Sequence, residues 1–202
     1  MRLSEGALNN CLSTLPAFLG EKILRYRRWE DRQAVLVGKL LLREVLAKRG
    51  YAPDCLERLR FDSYGRPHLE ENVDFNISHS GEFVLCAVAS GGRVGVDVER
   101  VRDLDISQFH KYFSAESWQE ITASENRPQS FFDHWTMRES VIKADGRGLS
   151  IPLKKLHVEE GAVALDGKNW FLKKLDLAPG YSCHLATDGK NPEINMRIGN
   201  SL

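Results

Sequence analysis

The 202 residues contain little that would anchor the chain in a membrane, staple it covalently or draw it to a polyanion. No stretch approaches the roughly 18 consecutive apolar residues that a membrane span needs. The opening MRLSEGALNN has neither the apolar run nor the small-residue cleavage site of a secretory leader. Cysteine is limited to Cys11, Cys55, Cys86 and Cys183, with no C-x-x-C pair. That spacing fits neither a zinc site nor a disulfide framework, and it suits reduced thiols in a cytoplasmic protein. Excess charge of one sign is also missing, because 28 Lys and Arg balance 28 Asp and Glu. Net charge therefore gives no general attraction to nucleic acid or to a membrane surface.

What remains is an ordinary globular composition, 42% hydrophobic and 28% charged, long enough for one large domain or two small halves sharing a core. Charge is uneven locally. Between 21 and 49, nine basic residues face four acidic ones, which gives either a phosphate-attracting face or a solvated helix surface. Residues 16–50 read as helical and well buried, with Gly50 as the stop. Strands are expected at 73–78, 83–89 and 93–100. In the last of these Val94, Val96 and Val98 face one way, and Gly95, Asp97 and Glu99 the other. Helices are expected over 107–123 and 128–145, then strands at 155–159, 162–165, 170–176 and 181–187. Helix, strands, helices, strands in this order give an α+β protein of two halves, 1–100 and 101–202.

Three groups of residues carry chemistry. Asp97 and Glu99 leave the same face of a strand, where their repulsion calls for either solvent or a cation. Trp135, Glu139 and Lys143 form one stripe of a helix. This stripe is either an ordinary Glu–Lys pair or, beside so much aromatic surface, a partly buried acid needing a partner. Oxygen ligands of this hard type suit Mg²⁺, and no His or Cys recurs at zinc spacing. Asn76-Ile77-Ser78-His79-Ser80-Gly81 closes a strand with groups able either to bind an anion or to satisfy a hairpin.

FNISHSG (75–81), VGVDVER (94–100) and WTMRESVIKADGRGL (135–149), in this order and at these intervals, resemble the 4'-phosphopantetheinyl transferases, of the type that activates surfactin synthetase. Softer likeness extends through YGRP (64–67), the basic helix from Lys22 to Arg43, and Leu149 to Leu153. The resemblance implies two similar α+β halves related by a pseudo-twofold axis, with the active site in the cleft between them. It implies a monomer that transfers 4'-phosphopantetheine from coenzyme A to a serine of an apo acyl or peptidyl carrier protein and releases 3',5'-ADP. By the same resemblance Asp97, Glu99 and Glu139 are magnesium ligands, with Mn²⁺ as the alternative ion. Lys143 meets coenzyme A phosphate and shares the catalytic role with Glu139. Ser78, His79, Arg66 and Lys22 are further coenzyme A contacts. Two positions depart from the pattern. Arg138 stands where a lysine is commoner, and Val35 stands where relatives carry a hydroxyl residue. Two other readings compete: a non-catalytic coenzyme A or nucleotide module of the same fold, and a Mg²⁺-dependent phosphoesterase.

Overall fold

The computed structural model describes residues 2–69 and 72–199. The first half begins with α1 (Glu5–Leu12), α2 (Ala17–Leu24) and α3 (Trp29–Lys48). The single helix expected over 16–50 is thus two, broken between Leu24 and Trp29 with no glycine or proline there to announce it. The break is held by a side chain. Arg32 Nη2 donates to the carbonyl of Tyr26 at 2.9 Å and reaches that of Leu24 at 3.5 Å, satisfying oxygens that a helix end leaves free. Leu36, Leu42 and Leu46 of α3 then bury against Leu19, Ile23 and Phe75.

Two short strands, β1 (Arg60–Phe61) and β2 (Pro67–His68), precede the antiparallel hairpin of β3 (Val73–Ser80) and β4 (Phe83–Ser90). β5 (Val94–Arg100) leaves this hairpin and pairs antiparallel with the last strand, β9 (Tyr181–Thr187). Between them come a 3-10 turn over Ile106–Tyr112, α4 (Ala115–Ala123), α5 (Arg127–Asp145), β6 (Val158–Glu159), β7 (Ala162–Leu165) and β8 (Lys168–Lys174). The second sheet has the order β5-β9-β8-β7-β6. Strand β5 was expected with the first half, but its backbone partners lie in the second. The helix expected over 107–123 divides at Ser114, whose hydroxyl caps α4 by accepting from the Ser117 N–H at 3.3 Å.

Helix α5 starts at Asn126, whose side chain accepts from the Gln129 N–H, and ends at Gly146 with φ 103°. Two arginines from outside α5 grip its last carbonyls. Arg66 Nε donates to Lys143 O at 3.0 Å, and Arg93 donates to Ala144 O at 3.0 Å and Asp145 O at 2.8 Å. A Cβ on Gly146 would sit 2.8 Å from the Arg66 Cδ and from the Arg93 Nη2.

β3 and β5 run side by side in the same direction, yet they belong to separate sheets. Side chains join them. The N–H groups of Val94, Val96, Val98 and Arg100 donate to Asp74 Oδ2 (2.8 Å), Asn76 Oδ1 (3.1 Å), Ser78 Oγ (3.3 Å) and Ser80 Oγ (3.0 Å). Alternate residues of one strand thus supply the acceptors that a neighbouring backbone would otherwise provide. The seam holds the two sheets apart by a side-chain length, and the cleft opens along it.

Candidate active site

Strand β5 turns Val94, Val96 and Val98 into an apolar layer with Cys183 and Leu185, as their alternation predicts. The opposite face carries Gly95, Asp97 and Glu99 toward α5. Gly95 decides how close the helix comes. A Cβ there would lie 2.0 Å from the Ser140 carbonyl oxygen and 2.4 Å from the Ala144 nitrogen. Only glycine admits the helix backbone at that distance. The approach carries Glu139 and Lys143, neighbours of those two residues in sequence, over the acidic pair.

The result is a cavity of about 310 Å³ lined by Ile77, Ser78, His79, Asp97, Glu99, Trp135, Glu139 and Lys143. All three expected ligands, both catalytic candidates and the Ser78–His79 pair line it together. Lys143 Nζ donates to Asp97 Oδ1 at 2.6 Å and to Ser78 Oγ at 3.0 Å. Ser78 Oγ donates to Asp97 Oδ1 at 3.0 Å. With the Val98 N–H, this uses the hydroxyl's proton and both its lone pairs inside the protein. Trp135 closes the wall, its ring edge-on to Phe109 and Tyr112 at centroid distances of 5.8 and 6.1 Å.

Three acids in one partly buried place disfavour their own ionisation. Burial raises the proton affinity of Asp97, against the pull of Lys143 and the hydrogen bonds from Lys143, Ser78 and the Val98 N–H. Burial raises Glu99 too, with Asp97 adding repulsion. Glu139 is pushed up to about 7, first by burial, then by Asp97 and Glu99, with Lys143 opposing. Burial lowers His79.

The donor set fits a hard divalent ion. Asp97 Oδ2 is buried with no hydrogen-bond partner, an expensive state for a carboxylate oxygen that a cation would relieve. Even so, among the described residues no three His, Cys, Asp or Glu groups are drawn together tightly enough to cage an ion as they stand. A partial shell of this kind suits Mg²⁺, which keeps several waters and takes its other oxygens from phosphates.

The remaining candidates lie elsewhere. Arg66 is buried, 6% exposed, and paired through two bonds with Asp74 at 2.7 and 2.8 Å. It also donates to the carbonyls of Val94 and Lys143, so it faces protein rather than the cavity. Lys22 stacks over the Phe61 ring at 3.9 Å. Val35 packs against the first-half core. Arg138, 1% exposed, binds the His134 carbonyl and the Ser117 hydroxyl and lies over Phe113. It ties α5 to α4 and takes no part in the cavity. Sequence reading placed Gly95 on the acidic face and Ser80 in the 76–81 group but gave neither a role of its own. Ser80 Oγ donates to Glu99 Oε2 at 2.9 Å, and its place two residues after Ser78, as Glu99 follows Asp97, was the available signal.

Comparison with known proteins agrees with the motifs. Residues 93–185 match the family model of the 4'-phosphopantetheinyl transferase superfamily, and 4–91 match that of the 4'-phosphopantetheinyl transferase N-terminal region. The 4'-phosphopantetheinyl transferase gsp of Aneurinibacillus migulanus is 34% identical over 69% of this chain and 60% of its own length. The 4'-phosphopantetheinyl transferase ffp of Bacillus subtilis is 30% identical, covering 89% of this chain and 84% of the relative. Sfp of Bacillus subtilis strain 168 is 31% identical, covering 80% and 76%. Among solved structures, a Thermotoga maritima holo-[acyl-carrier-protein] synthase aligns at 14% identity and a TM-score of 0.37, over 47% of this chain and 61% of that one.

Proposed function

This chain belongs to the 4'-phosphopantetheinyl transferase superfamily, and we propose that its cavity between β3, β5 and α5 moves the phosphopantetheine arm of coenzyme A onto a carrier-protein serine. One observation carries the reading. Two acids from a strand meet an acid and a lysine from a distant helix around one cavity. A costly cluster of charged groups around a cavity is the kind of arrangement that catalytic sites use.

Asp97, Glu99 and Glu139 would hold Mg²⁺, or Mn²⁺ in its place. When bound, the ion neutralises charge on the pyrophosphate and orients the leaving group. The chain's own residues do the rest. Lys143 brings a fixed positive charge to the same phosphates. Its hydrogen bonds to Asp97 and Ser78 keep the long side chain pre-set over the cavity. The carrier serine oxygen attacks the phosphorus bearing pantetheine. The bond to 3',5'-ADP breaks, and the hydroxyl proton passes to a Glu139 carboxylate oxygen. Burial and the two neighbouring acids raise its proton affinity to about 7 without a cation, and a bound cation would lower it again, so the transfer relies on the position of this oxygen or on an intervening water. His79, exposed at the cavity rim, can meet an anionic part of coenzyme A. The protein works as a cytoplasmic monomer in this reading.

Incubation with coenzyme A, Mg²⁺ and an apo carrier protein tests it. The expected result is a gain of about 340 Da on the carrier, one phosphopantetheine transferred by phosphoryl chemistry. Release of 3',5'-ADP without carrier would turn the reading toward a phosphoesterase. Bound coenzyme A without turnover would turn it toward a binding module. In the same assay Glu139→Gln is expected to cost at least about 100-fold in kcat.

A further inference from the structure

Ser78 and Ser80 repeat one device two residues apart. Each oxygen accepts a β5 backbone N–H, from Val98 and from Arg100. Each hydroxyl then donates to the acid one residue earlier on β5, Ser78 to Asp97 and Ser80 to Glu99. Accepting a fixed N–H places the oxygen, and its proton is left to orient the carboxylate. Asp97 has Lys143 as a second partner. Glu99 has no such ammonium, and Ser80 provides the one hydrogen bond to its carboxylate among the described residues. Asn76 offers an internal contrast, because it accepts the Val96 N–H in the same seam but makes no hydrogen bond to an acid among the described residues.

We infer that Ser80 is a positioning residue for Glu99, holding that carboxylate toward the cavity in the orientation a divalent ion needs. The inference rests on the metal reading above. A partner that orients a ligating carboxylate is worth about 10-fold or more in metal affinity. The contrast with Asn76 separates this role from mere joining of the strands. Removing the Asn76 acceptor damages the seam alone, whereas removing the Ser80 hydroxyl damages the seam and frees Glu99.

The test is a Mn²⁺ titration of the full chain with coenzyme A present, followed by electron paramagnetic resonance, with thermal melting alongside. Ser80→Ala is expected to weaken Mn²⁺ binding about 10-fold, and Ser80→Thr, which keeps the hydroxyl, to restore it to within about twofold. Asn76→Ala is expected to lower the melting temperature comparably while leaving the Mn²⁺ dissociation constant within about twofold of the parent. Should Ser80→Ala not fold, Ser80→Cys reads the same contact, since a thiol keeps the shape and donates poorly. Unchanged Mn²⁺ affinity in the Ser80 variants, with binding lost in Glu99→Gln, overturns the role of Ser80 and spares the metal site. Unchanged affinity in Glu99→Gln as well overturns the metal reading and this inference with it.

Discussion

In the first half a glycine on the helix makes room for a strand, and in the second a glycine on the strand makes room for a helix. Gly38 of α3 faces β3, where an added Cβ would come 2.7 Å from Ile77 Cγ2. Gly95 of β5 faces α5, where the obstacle is backbone, the Ser140 carbonyl at 2.0 Å. A side chain can rotate aside, but a helix hydrogen-bonded along its length cannot. The softer contact is with Ile77, which packs against the apolar core of the first half and also lines the cavity. The rigid one lies under the chemistry, where a small displacement of Glu139 or Lys143 would be costly.

The largest effect therefore belongs to Gly95→Ala. It is expected to cost about 3 kcal/mol or more, read by chemical denaturation, and to abolish transfer even where the chain folds. A mild cost would break the comparison by showing that α5 can shift. Next comes Arg66→Met, which leaves the buried Asp74 carboxylate with only the more distant Arg93 at 3.9 Å and frees the Lys143 carbonyl. The expected loss is about 3–5 kcal/mol in a denaturation series, comparable in stability to Gly95→Ala, which ranks first because it also abolishes transfer. A raised KM for coenzyme A with stability intact would instead make Arg66 a ligand contact.

A third prediction uses His184, which sits opposite Asp97 in the β5–β9 register and shares a 2.7 Å hydrogen bond with Thr136 of α5. Burial pushes its pKa down to about 4. The unfolded chain then binds the extra proton between about pH 6.5 and 4, so stability is full above that window and falls as pH drops through it. At pH 5 the loss from this group is about 2 kcal/mol. His184→Gln should flatten that part of the curve in melts at pH 7 and 5. The smallest effect is expected for Gly38→Ala. About 1 kcal/mol of helix propensity gained offsets part of the cost of moving Ile77, whose branch methyl shifts only with χ1. A loss as large as that of Gly95→Ala would erase the contrast between the halves.

Much of this was legible beforehand. Alternation in 94–100 gave the valine face and the acidic face, and the Trp135–Glu139–Lys143 stripe gave the helix wall, because both follow from local geometry. The division of 16–50 into α2 and α3 was not legible, since a long-reaching Arg32 rather than a glycine or proline makes the break. Nor was the true place of Arg66. YGRP shows a basic residue beside a turn, but only folding brings the Asp74 carboxylate and the end of α5 to it. The strand that β5 pairs with was not legible for a similar reason. Nearness in sequence favours the hairpin before it, while its backbone bonds go to a strand some 80 residues later. Gly95 gave no signal because its role depends on a helix that had yet to arrive.

The joint between β3 and β5 has a consequence for how this protein can change. Main-chain pairing is indifferent to side-chain identity, so ordinary neighbouring strands keep their bonds through most substitutions. Here positions 74, 76, 78 and 80 each accept one backbone N–H across the boundary. Single codon changes can therefore loosen or tighten the junction one rung at a time, and the two halves can drift relative to each other over generations without either having to be rebuilt.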